Sequence, residues 1–451
     1  MSELGLNQSS SGILRAFVTS DRFWPPEPQS LNDTGLSEAL IESLICKHLA
    51  IAGTSSGRNI AQHICLPFQI LEDLFASLRT RQLVVHCGSA PFNDYYYSLT
   101  EEGRRRAEAL LHACAYSGPA PVLLSEYINS VAAQSVIWET DAPTDEDLTA
   151  AFDDVFVNQC LLDQLGPAVS SGAGIFLYGA PGNGKSTLAQ RITKCFGSEL
   201  WIPHAITEDG QIIKFFDSAF HKPIQDDENE VFTAQDFDSR WLRIHRPTVV
   251  VGGELTMDAL EIRHDPNSNV SEAPLQMKSN GGCLLIDDFG RQVATPKELL
   301  NRWIIPLETR HDFLTLFNGK KIQVPFEQLI IFSTNIEPRE LVDEAFLRRI
   351  PYKIEITDPD EEEFAHLFEL HATRLGFEYK PDIVEYVIQN HYHPIDRAMR
   401  RCHPRDLLLQ VRNLCRYRKI PLEMRPEFFD FVQRTYFAMV CNSDEEFTRS
   451  E

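Results

Sequence analysis

The chain has 451 residues, with 42 Lys and Arg against 65 Asp and Glu, which gives a formal net charge of −23. At roughly 150 residues per domain, this length predicts about three domains and excludes a lone small module. The acidic balance disfavours nucleic acid as the default partner, because phosphate backbones repel negative charge. The hydrophobic share of 43% is typical of a globular chain rather than a disordered one.

Neither a targeting segment nor a membrane-spanning segment is predicted from the sequence. No stretch approaches the roughly 20 consecutive apolar residues that span a bilayer, and the N-terminus lacks the pattern of a secretory signal. Its ten cysteines show no C-x-x-C pair, which is typical of scattered, reduced core residues. These observations predict a cytoplasmic protein without membrane insertion.

The N-terminal part changes character near residue 36. Residues 1–35 are rich in Ser, Asn, Gly and Pro, which predicts a partly ordered arm. Three segments of helical periodicity follow, then two strand-like runs and a helix for which Thr100 is the predicted N-cap. This order, over residues 36–116, resembles the winged helix-turn-helix family.

DNA-binding members of that family place basic and polar side chains of one helix in the major groove. The corresponding segment here carries Gln69, Glu72 and Asp73, and the module has seven Lys and Arg against eight Asp and Glu. The resemblance therefore implies docking to a protein more than readout of bases, although the basic run 104–106 leaves phosphate contacts open. Residues 117–150 are predicted to be a linker that contains one short helix.

A phosphate-binding motif stands near the middle of the chain. The apolar run 175–178 predicts a strand, residues 179–187 read GAPGNGKST, and a helical pattern follows. This is G-x-x-x-x-G-K-S in the strand–loop–helix context in which backbone N–H groups bind phosphates. Lys185 is predicted to reach the β and γ phosphates, and the Ser186 hydroxyl to bind magnesium. The predicted nucleotide-binding residues of this loop are Gly179, Pro181, Gly182, Asn183, Gly184, Lys185, Ser186 and Thr187.

Two carboxylates follow another apolar run, at residues 283–286. Strands of this kind suit a parallel sheet whose C-terminal edge forms a site. Asp287 is predicted to hold magnesium and Asp288 to orient or deprotonate an attacking water. ATP and Mg²⁺ are thus the predicted cofactors.

A third apolar run, 329–332, leads to Asn335. Together with the first two strands and the sequence AFLRRIP at 345–351, it resembles the AAA+ ATPase family across roughly residues 150–440. The resemblance implies an α/β P-loop fold with a parallel sheet, and a sensor role for Asn335 in positioning water. It also implies that Arg348 or Arg349 is an arginine finger inserted into a neighbouring subunit, and that the protein forms a ring of six subunits.

The family resemblance also sets the remaining boundaries. The ATPase core is predicted over residues 151–358, with an insert at 201–280, and a helical lid and tail over 359–451. In the lid, Arg405 is expected to read the γ phosphate. The segment 397–419 has eight Lys and Arg against one acid, which indicates a surface that faces nucleotide or a neighbouring subunit, with nucleic acid as the rival interpretation.

A hairpin is predicted around Asn318-Gly319, just before the third strand. Its position resembles the MoxR-like and magnesium-chelatase-like branch of the AAA+ family, in which such hairpins often point toward a central pore. Lys320 and Lys321 are therefore candidate contacts for a substrate. The competing interpretation is that they are exposed lysines that keep a strand edge soluble.

These features lead to a main hypothesis and two rivals. The main hypothesis is an ATP-hydrolysing ring that remodels or chaperones a protein partner recruited by the N-terminal module. The first rival is an ATP-gated, DNA-binding transcriptional or signalling regulator. The second is a nucleotide-dependent scaffold that hydrolyses ATP very slowly.

Overall fold

The computed structural model describes most of the chain. The described residues are 23–135, 143–153, 156–197, 199–224, 237–341 and 344–437. Residues 1–22 of the predicted arm and residues 438–451 of the predicted tail lie outside them. The described end of the arm is packed, because the rings of Phe23 and Trp24 lie edge-on to Trp241 and Trp201.

The N-terminal module, residues 36–116, folds around one apolar core. Its elements are α1 (Glu38–Ala52), β1 (Thr54–Ser56), α2 (Gly57–Ile64), α3 (Phe68–Thr80), β2 (Val84–Ala90), β3 (Asp94–Leu99) and α4 (Glu101–Ala113). Strand β3 is central and pairs antiparallel with both β1 and β2. The predicted cap of α4 is confirmed, because the Thr100 hydroxyl accepts a hydrogen bond from the backbone N–H of Gly103 at 2.9 Å.

The middle of the chain mixes helices and strands. Its first elements are β4 (Val122–Leu123), α5 (Leu124–Gln134), α6 (Asp145–Ala151), α7 (Gln159–Ser171), β5 (Ile175–Tyr178), α8 (Lys185–Ile192), β6 (Glu199–Pro203), β7 (Ala205–Glu208), β8 (Gln211–Lys214), β9 (Trp241–His245) and β10 (Thr248–Val251). The next are β11 (Arg263–Asp265), β12 (Val270–Glu272), α9 (Leu275–Lys278), β13 (Cys283–Ile286), α10 (Pro296–Thr309), β14 (His311–Thr315), β15 (Lys321–Pro325), β16 (Leu329–Thr334), α11 (Pro338–Leu341), α12 (Glu344–Leu347) and β17 (Tyr352–Glu355).

Five of these strands form a parallel sheet in the order β10–β13–β16–β5–β17. Strands β13 and β16 are buried along their whole length, as expected for strands that helices cover on both faces. Helices α7 and α8 pack on one face and α10 packs on the other. The predicted α/β class with a parallel sheet is therefore confirmed, and the C-terminal ends of all five strands lie at one edge.

The prediction that residues 201–280 form one insert is wrong in one respect. Strand β10 lies within that range, yet it is an edge strand of the parallel sheet and pairs with β13 along its whole length. The inserted elements therefore come in two pieces, β6 to β9 before β10 and β11 to α9 after it. A short apolar run looks the same in either setting, so only its pairing partner identifies it.

The inserted strands belong to a second structural unit, here called the β unit and made of β4, α5, β6 to β9, β11, β12, α9, β14 and β15. It contains a mixed sheet in the order β11–β12–β8–β7–β4 and the antiparallel pairs β6–β9 and β14–β15. Most of these elements share one apolar core, to which the contributors include Val122, Tyr127, Trp201, Ile206, Ile213, Met277, Ile322 and Val324.

The described part of residues 117–150 is not the linker that the sequence predicts. Strand β4 pairs in parallel with β7, and Tyr127 of α5 is fully buried. The Gln134 side chain hydrogen-bonds the backbone of Trp201 in both directions, at 2.7 and 3.0 Å. The Gly and Pro residues at 118–121 directly precede β4. Strand β4 and helix α5 are part of the β unit, whereas Leu148 of α6 packs in the apolar core beside α7 and α8.

A buried arginine joins the described end of the arm to the β unit. Arg240 forms an ion pair with Asp238 at 2.7 Å and donates hydrogen bonds to the backbone oxygens of Thr34 and Pro121, at 3.1 and 3.3 Å. A guanidinium that is removed from water needs several such acceptors. The end of the arm is therefore held to the β unit by these polar contacts as well as by the aromatic packing of Phe23 and Trp24.

The C-terminal region is helical, as predicted from residue 359 onward. Its helices are α13 (Glu361–Leu375), α14 (Pro381–His391), α15 (His403–Arg418) and α16 (Pro426–Tyr436). They enclose a separate core that includes Phe364, Phe368, Leu408 and Phe429. Each of the last three helices has Pro in its first turn, where the missing N–H costs no helical hydrogen bond.

Two further observations concern the whole described chain. Within the described ranges, no helix combines the length and apolar character that crossing a bilayer requires. The described cysteines are all free thiols, and Cys87 and Cys160 are exposed. The sequence-based expectation of core cysteines is thus wrong for these two.

Candidate functional site

The phosphate-binding loop connects β5 to α8 at the C-terminal edge of the parallel sheet. Gly179, Gly182 and Gly184 all have positive φ, at 135°, 86° and 81°, a conformation that glycine adopts without steric cost. A Cβ on Gly179 would lie 2.4 Å from the backbone oxygen of Ile356. The three glycines are therefore required by the path of the loop, which ends where α8 begins at Lys185.

Lys185 is buried, and its ammonium group is hydrogen-bonded within the site. Nζ donates to the backbone oxygens of Gly179 and Ala180, both at 2.9 Å, and to Asn335 Oδ1 at 2.7 Å. Burial lowers the pKa of Lys185, whereas the nearby carboxylates Asp287 and Asp288 act in the opposite direction. The ammonium group thus lies at the mouth of the loop, beside the ends of two neighbouring strands.

A hydroxyl and a carboxylate meet at the predicted magnesium site. Ser186 Oγ, in the first turn of α8, donates to Asp287 Oδ2 at 2.7 Å. Hydroxyl, carboxylate and water oxygens are the ligands that Mg²⁺ prefers. The donor set therefore fits the predicted metal, and the residues that would hold it are Ser186 and Asp287.

Asp288, the second carboxylate after β13, lies at the same edge of the sheet. Asp288 has φ of 50°, a left-handed conformation that Asp tolerates better than most residues. Its Oδ1 accepts a hydrogen bond from Asn335 Nδ2 at 3.2 Å. Asn335 therefore contacts both Lys185 and Asp288, so side chains that follow three neighbouring strands meet at this edge of the sheet.

Gln292 supports the turn after β13, a role that was not predicted from the sequence. Its Nε2 donates to the backbone oxygen of Asp287 at 2.8 Å, and its Oε1 accepts from the N–H of Gly290 at 2.8 Å. These two bonds close the turn that carries both carboxylates. No motif in the sequence marks this glutamine, because its role depends on the backbone conformation.

A cleft of about 220 Å³ lies between the loop and the helical region. Asn183, Gly184 and Thr187 line it from the loop, and Arg401 and Arg405 from the helical region. Pro181 is exposed at the tip of the loop. The apolar residues that line the cleft are Phe156, Val157, Leu161, Leu188, Leu367 and Leu370.

Arg405, which is predicted to read the γ phosphate, lines this cleft, and its guanidinium contacts the adjacent residue Asp406. Nε donates to Asp406 Oδ1 at 2.9 Å, and the side chain is largely exposed. Arg400 and Arg401, for which no individual role was predicted, lie closer to the loop: the N–H of Arg401 donates to Asn183 Oδ1 at 3.2 Å. The basic segment 397–419 was the signal that pointed to this surface.

The two finger candidates differ in their surroundings. The Arg348 side chain is 79% exposed and lies 4.0 Å from Glu344, whereas the Arg349 side chain is 26% exposed and pairs with Glu308 at 2.7 Å. Arg349 is thus engaged by α10 of its own chain. Arg348 is the one of the two whose charge projects from the surface.

The predicted β14–β15 hairpin is present, but it is not a free projection. Lys320 Nζ forms an ion pair with Glu208 Oε1 at 2.8 Å, and Asn318 Nδ2 donates to Asp209 Oδ2 at 2.7 Å. Both partners lie at the β7–β8 turn. Lys320 is therefore engaged within the β unit, whereas Lys321 is exposed.

Comparison with known proteins gives two partial sequence matches. A family described as a domain of unknown function (DUF8689) matches residues 360–434, which correspond to the helical region. The uncharacterized protein ORF529 of Acidianus two-tailed virus is 28% identical over 203 residues. That match covers 45% of this chain and 30% of the viral protein, so less than a third of that relative is represented.

Similar solved structures include NtrX from Brucella abortus, 15% identical with a TM-score of 0.39, covering 62% of this chain and 55% of that one. The Thermotoga maritima RuvB Holliday junction branch migration motor is 13% identical with a TM-score of 0.37, covering 63% and 70%. Similarity at this level supports no argument about function. The parallel sheet and the loop between β5 and α8 themselves define the fold as that of a P-loop NTPase.

Proposed function

We propose that the protein is an ATP hydrolase of the AAA+ type. The observation that carries the proposal is the convergence of Lys185, Asn335 and Asp288 by direct hydrogen bonds at the ends of three parallel strands. The Ser186–Asp287 contact beside them adds a magnesium-type donor pair. A structural Gly-rich turn would need none of these polar groups at the same edge.

In the proposed reaction, the loop from Gly179 to Thr187 binds the phosphates through backbone N–H groups and the N-terminus of α8. Lys185 holds the β and γ phosphates. Mg²⁺, when bound, supplies positive charge at the phosphate oxygens. The apolar wall of the cleft receives the base, and Arg405, with Arg400 and Arg401, brings positive charge from the helical region.

Asp288 and Asn335 are the proposed residues of the hydrolytic step. Asp288 accepts a proton from, or orients, the water that attacks the γ phosphate. Asn335 fixes that carboxylate by donating to it and holds Lys185 by accepting from it. The two residues therefore act together on the nucleophile and on the charge of the phosphate.

The ring of six subunits, with Arg348 as the finger, is part of the proposal. An arginine that neutralises charge on the transferred phosphoryl group accelerates hydrolysis strongly. The exposure of Arg348 and the ion pair of Arg349 with Glu308 favour Arg348 for this role. Family resemblance is the basis for the number of subunits.

The proposed work of the ring is remodelling of a protein partner in the cytoplasm, with the winged-helix-like module at residues 36–116 as the docking domain. Helix α3 exposes Glu72 and Asp73, and two acids on the helix that would read bases oppose DNA binding. Arg104 and Arg106 are exposed on α4, which favours an ATP-gated, DNA-binding regulator as the second candidate.

Hydrolysis is tested by phosphate release from purified protein with Mg²⁺ and ATP. Lys185→Ala and Asp288→Asn should each abolish release above background, and Lys185→Ala should also abolish nucleotide binding. Phosphate release equal to that of the parent in both variants would show that the assigned site is not the active site.

The partner class is tested with the full-length Asp288→Asn variant. Retention of a protein in the presence of ATP, and its loss with ADP, supports remodelling. Salt-dependent titration with duplex DNA is the competing measurement. Sequence-selective DNA binding that Arg104→Ala and Arg106→Ala together abolish would replace the remodelling proposal by the regulator.

A further inference from the structure

The helical region meets the phosphate loop at one buried side chain. Asn183 is 1% exposed; its Oδ1 accepts from the N–H of Arg401 at 3.2 Å, and its Nδ2 donates to Asp358 Oδ1 at 2.7 Å. Beside it, the N–H of Cys402 donates to the backbone oxygen of Gly182 at 2.9 Å. The loop, the chain after β17 and the start of α15 are therefore joined by direct hydrogen bonds.

Asp358 has a second partner, the guanidinium of Arg400, with which it forms an ion pair. Arg400 also lies beside the phosphate loop, because its Cβ is 3.7 Å from the position of a Cβ built on Gly182. Burial is the main cause of the lowered pKa of Lys185, and the charge of Arg400 lowers this pKa further. One guanidinium is thus close to both a carboxylate and the residues that surround the phosphate site.

The neighbouring arginine is held differently. Arg401 pairs with Glu363 at 2.8 Å, and these side chains are only 11% and 13% exposed. Glu363 also accepts from Asn158 at 2.6 Å, so this pair is fixed from two sides. The Arg400 and Asp358 side chains are 25% and 36% exposed, which leaves room for the guanidinium to change partners.

We propose that Asp358 restrains Arg400 in the nucleotide-free chain and that the phosphates of a bound nucleotide take Arg400 from this carboxylate. The inference rests on the proposed nucleotide site and adds a device that links its occupancy to the helical region. Phosphates carry more charge than a carboxylate and accept two parallel hydrogen bonds from a guanidinium. Asp358 retains the hydrogen bond from Asn183, so the loop stays in place while Arg400 moves.

The test is a double-mutant cycle on the full chain. Asp358→Asn keeps an oxygen that can accept from Asn183 but removes the charge that holds Arg400. The dissociation constants of ADP and of a slowly hydrolysed ATP analogue are measured with Mg²⁺, by calorimetry, for the parent, Asp358→Asn, Arg400→Gln and the double variant. Arg401→Gln, alone and combined with Asp358→Asn, is the matched control.

In the parent, Arg400 must leave Asp358 before it contacts phosphate. The loss of this ion pair offsets part of the free energy that the phosphate contact contributes to binding. In Asp358→Asn no ion pair has to break, so the full free energy of the phosphate contact contributes to binding. Arg400→Gln should therefore weaken analogue binding by roughly threefold more in the Asp358→Asn background than in the parent. Long-range charge effects are the same in both backgrounds and cancel in the comparison.

Equal losses in the two backgrounds would overturn the inference and leave the nucleotide site intact. Coupling of the same size for Arg401→Gln would also overturn it, because the effect would then not belong to Arg400. A parent that binds no nucleotide would overturn the proposed function together with the inference. If Asp358→Asn lacks a cooperative thermal transition, Asp358→Ser replaces it in the same cycle, with the same expected sign.

Discussion

Asn335 Oδ1 accepts a hydrogen bond from Lys185 Nζ at 2.7 Å, between residues 150 positions apart in the chain. The amide nitrogen of Asn335 donates to Asp288 Oδ1. A carboxamide suits this position because it presents an acceptor to the cation and a donor to the carboxylate. The orientation of its oxygen and nitrogen is thereby determined by its two partners.

Replacing this amide should affect turnover more than affinity. Asn335→Asp puts a second acceptor next to Asp288 and removes the donor, so kcat for ATP should fall by roughly a hundredfold, with a much smaller change in the dissociation constant of ADP. Steady-state phosphate release and calorimetry measure the two quantities. Asn390→Asp, on the exposed face of α14, is the control. An unchanged kcat in Asn335→Asp would contradict the assigned role.

The Ser186–Asp287 contact predicts where dependence on Mg²⁺ arises. In the parent, removal of Mg²⁺ with a chelator should weaken ATP binding roughly tenfold. In Ser186→Ala the difference between the two conditions should shrink, because one of the two protein ligands is lost. For each variant, ATP binding with Mg²⁺ is compared with ATP binding of the same variant without Mg²⁺. If removal of Mg²⁺ weakens ATP binding by the same factor in Ser186→Ala, in Asp287→Asn and in the parent, this result would be evidence against the site.

Arg348 and Arg349 form a natural matched pair. Arg348→Ala should lower kcat on the order of a thousandfold if it is the finger and leave stability unchanged. Arg349→Ala should instead lower the melting temperature, as should Glu308→Gln, which breaks the same ion pair.

Mixing experiments locate the finger in the assembly. Subunits with Arg348→Ala but an intact loop, mixed with Lys185→Ala subunits, should recover part of the activity that each lacks alone. Activity that is restored by no mixture of the two would argue against a site shared between subunits.

His403 predicts a loss of stability in mild acid. Burial, together with Arg400 and Arg397, lowers its pKa to about 4, and its Nδ1 lies 3.0 Å from the hydroxyl of Tyr392. An unfolded histidine titrates near pH 6.5. As the pH falls below about 6.5, the unfolded chain binds a proton that the folded chain does not bind, so the free energy of unfolding decreases until about pH 4.

Urea unfolding at about pH 7.5 and about pH 5 measures this effect. We expect His403→Gln to reduce the loss between the two conditions by about 1 kcal/mol. The pKa of His204 is also lowered to about 4 by burial, so part of the loss should persist in this variant. Identical pH dependence in the parent and in His403→Gln would contradict the prediction.

Gly182 and Gly184 test the contact between the loop and the helical region. Both have positive φ, but a Cβ on Gly182 would lie 2.6 Å from Cys402 Sγ, whereas one on Gly184 would meet no atom within 4 Å. Gly182→Ala should therefore lower the free energy of unfolding by about 1 kcal/mol more than Gly184→Ala. Adding Cys402→Ala should recover part of that difference. Equal effects of the two glycine substitutions in chemical unfolding would disprove the close contact.

The sequence predicted the phosphate loop and both carboxylates because each is marked locally, by glycine spacing or by the end of an apolar run. It misassigned β10 and the region before the core for a single reason. The core membership of residues 248–251 depends on pairing with β13, and that of Val122 on pairing with β7. Pairing of this kind joins segments far apart in the chain and leaves no local periodic signal.

By itself, then, the sequence determined the fold class and the residue types at the strand ends, since backbone geometry and burial impose these on each segment separately. Only the tertiary structure decided which charges meet. It pairs Arg349 with Glu308 and Lys320 with Glu208, and it brings Arg400 to Asp358 beside the phosphate loop. Ion pairs form between side chains that folding brings within a few ångströms, so their partners follow from packing rather than from position in the chain.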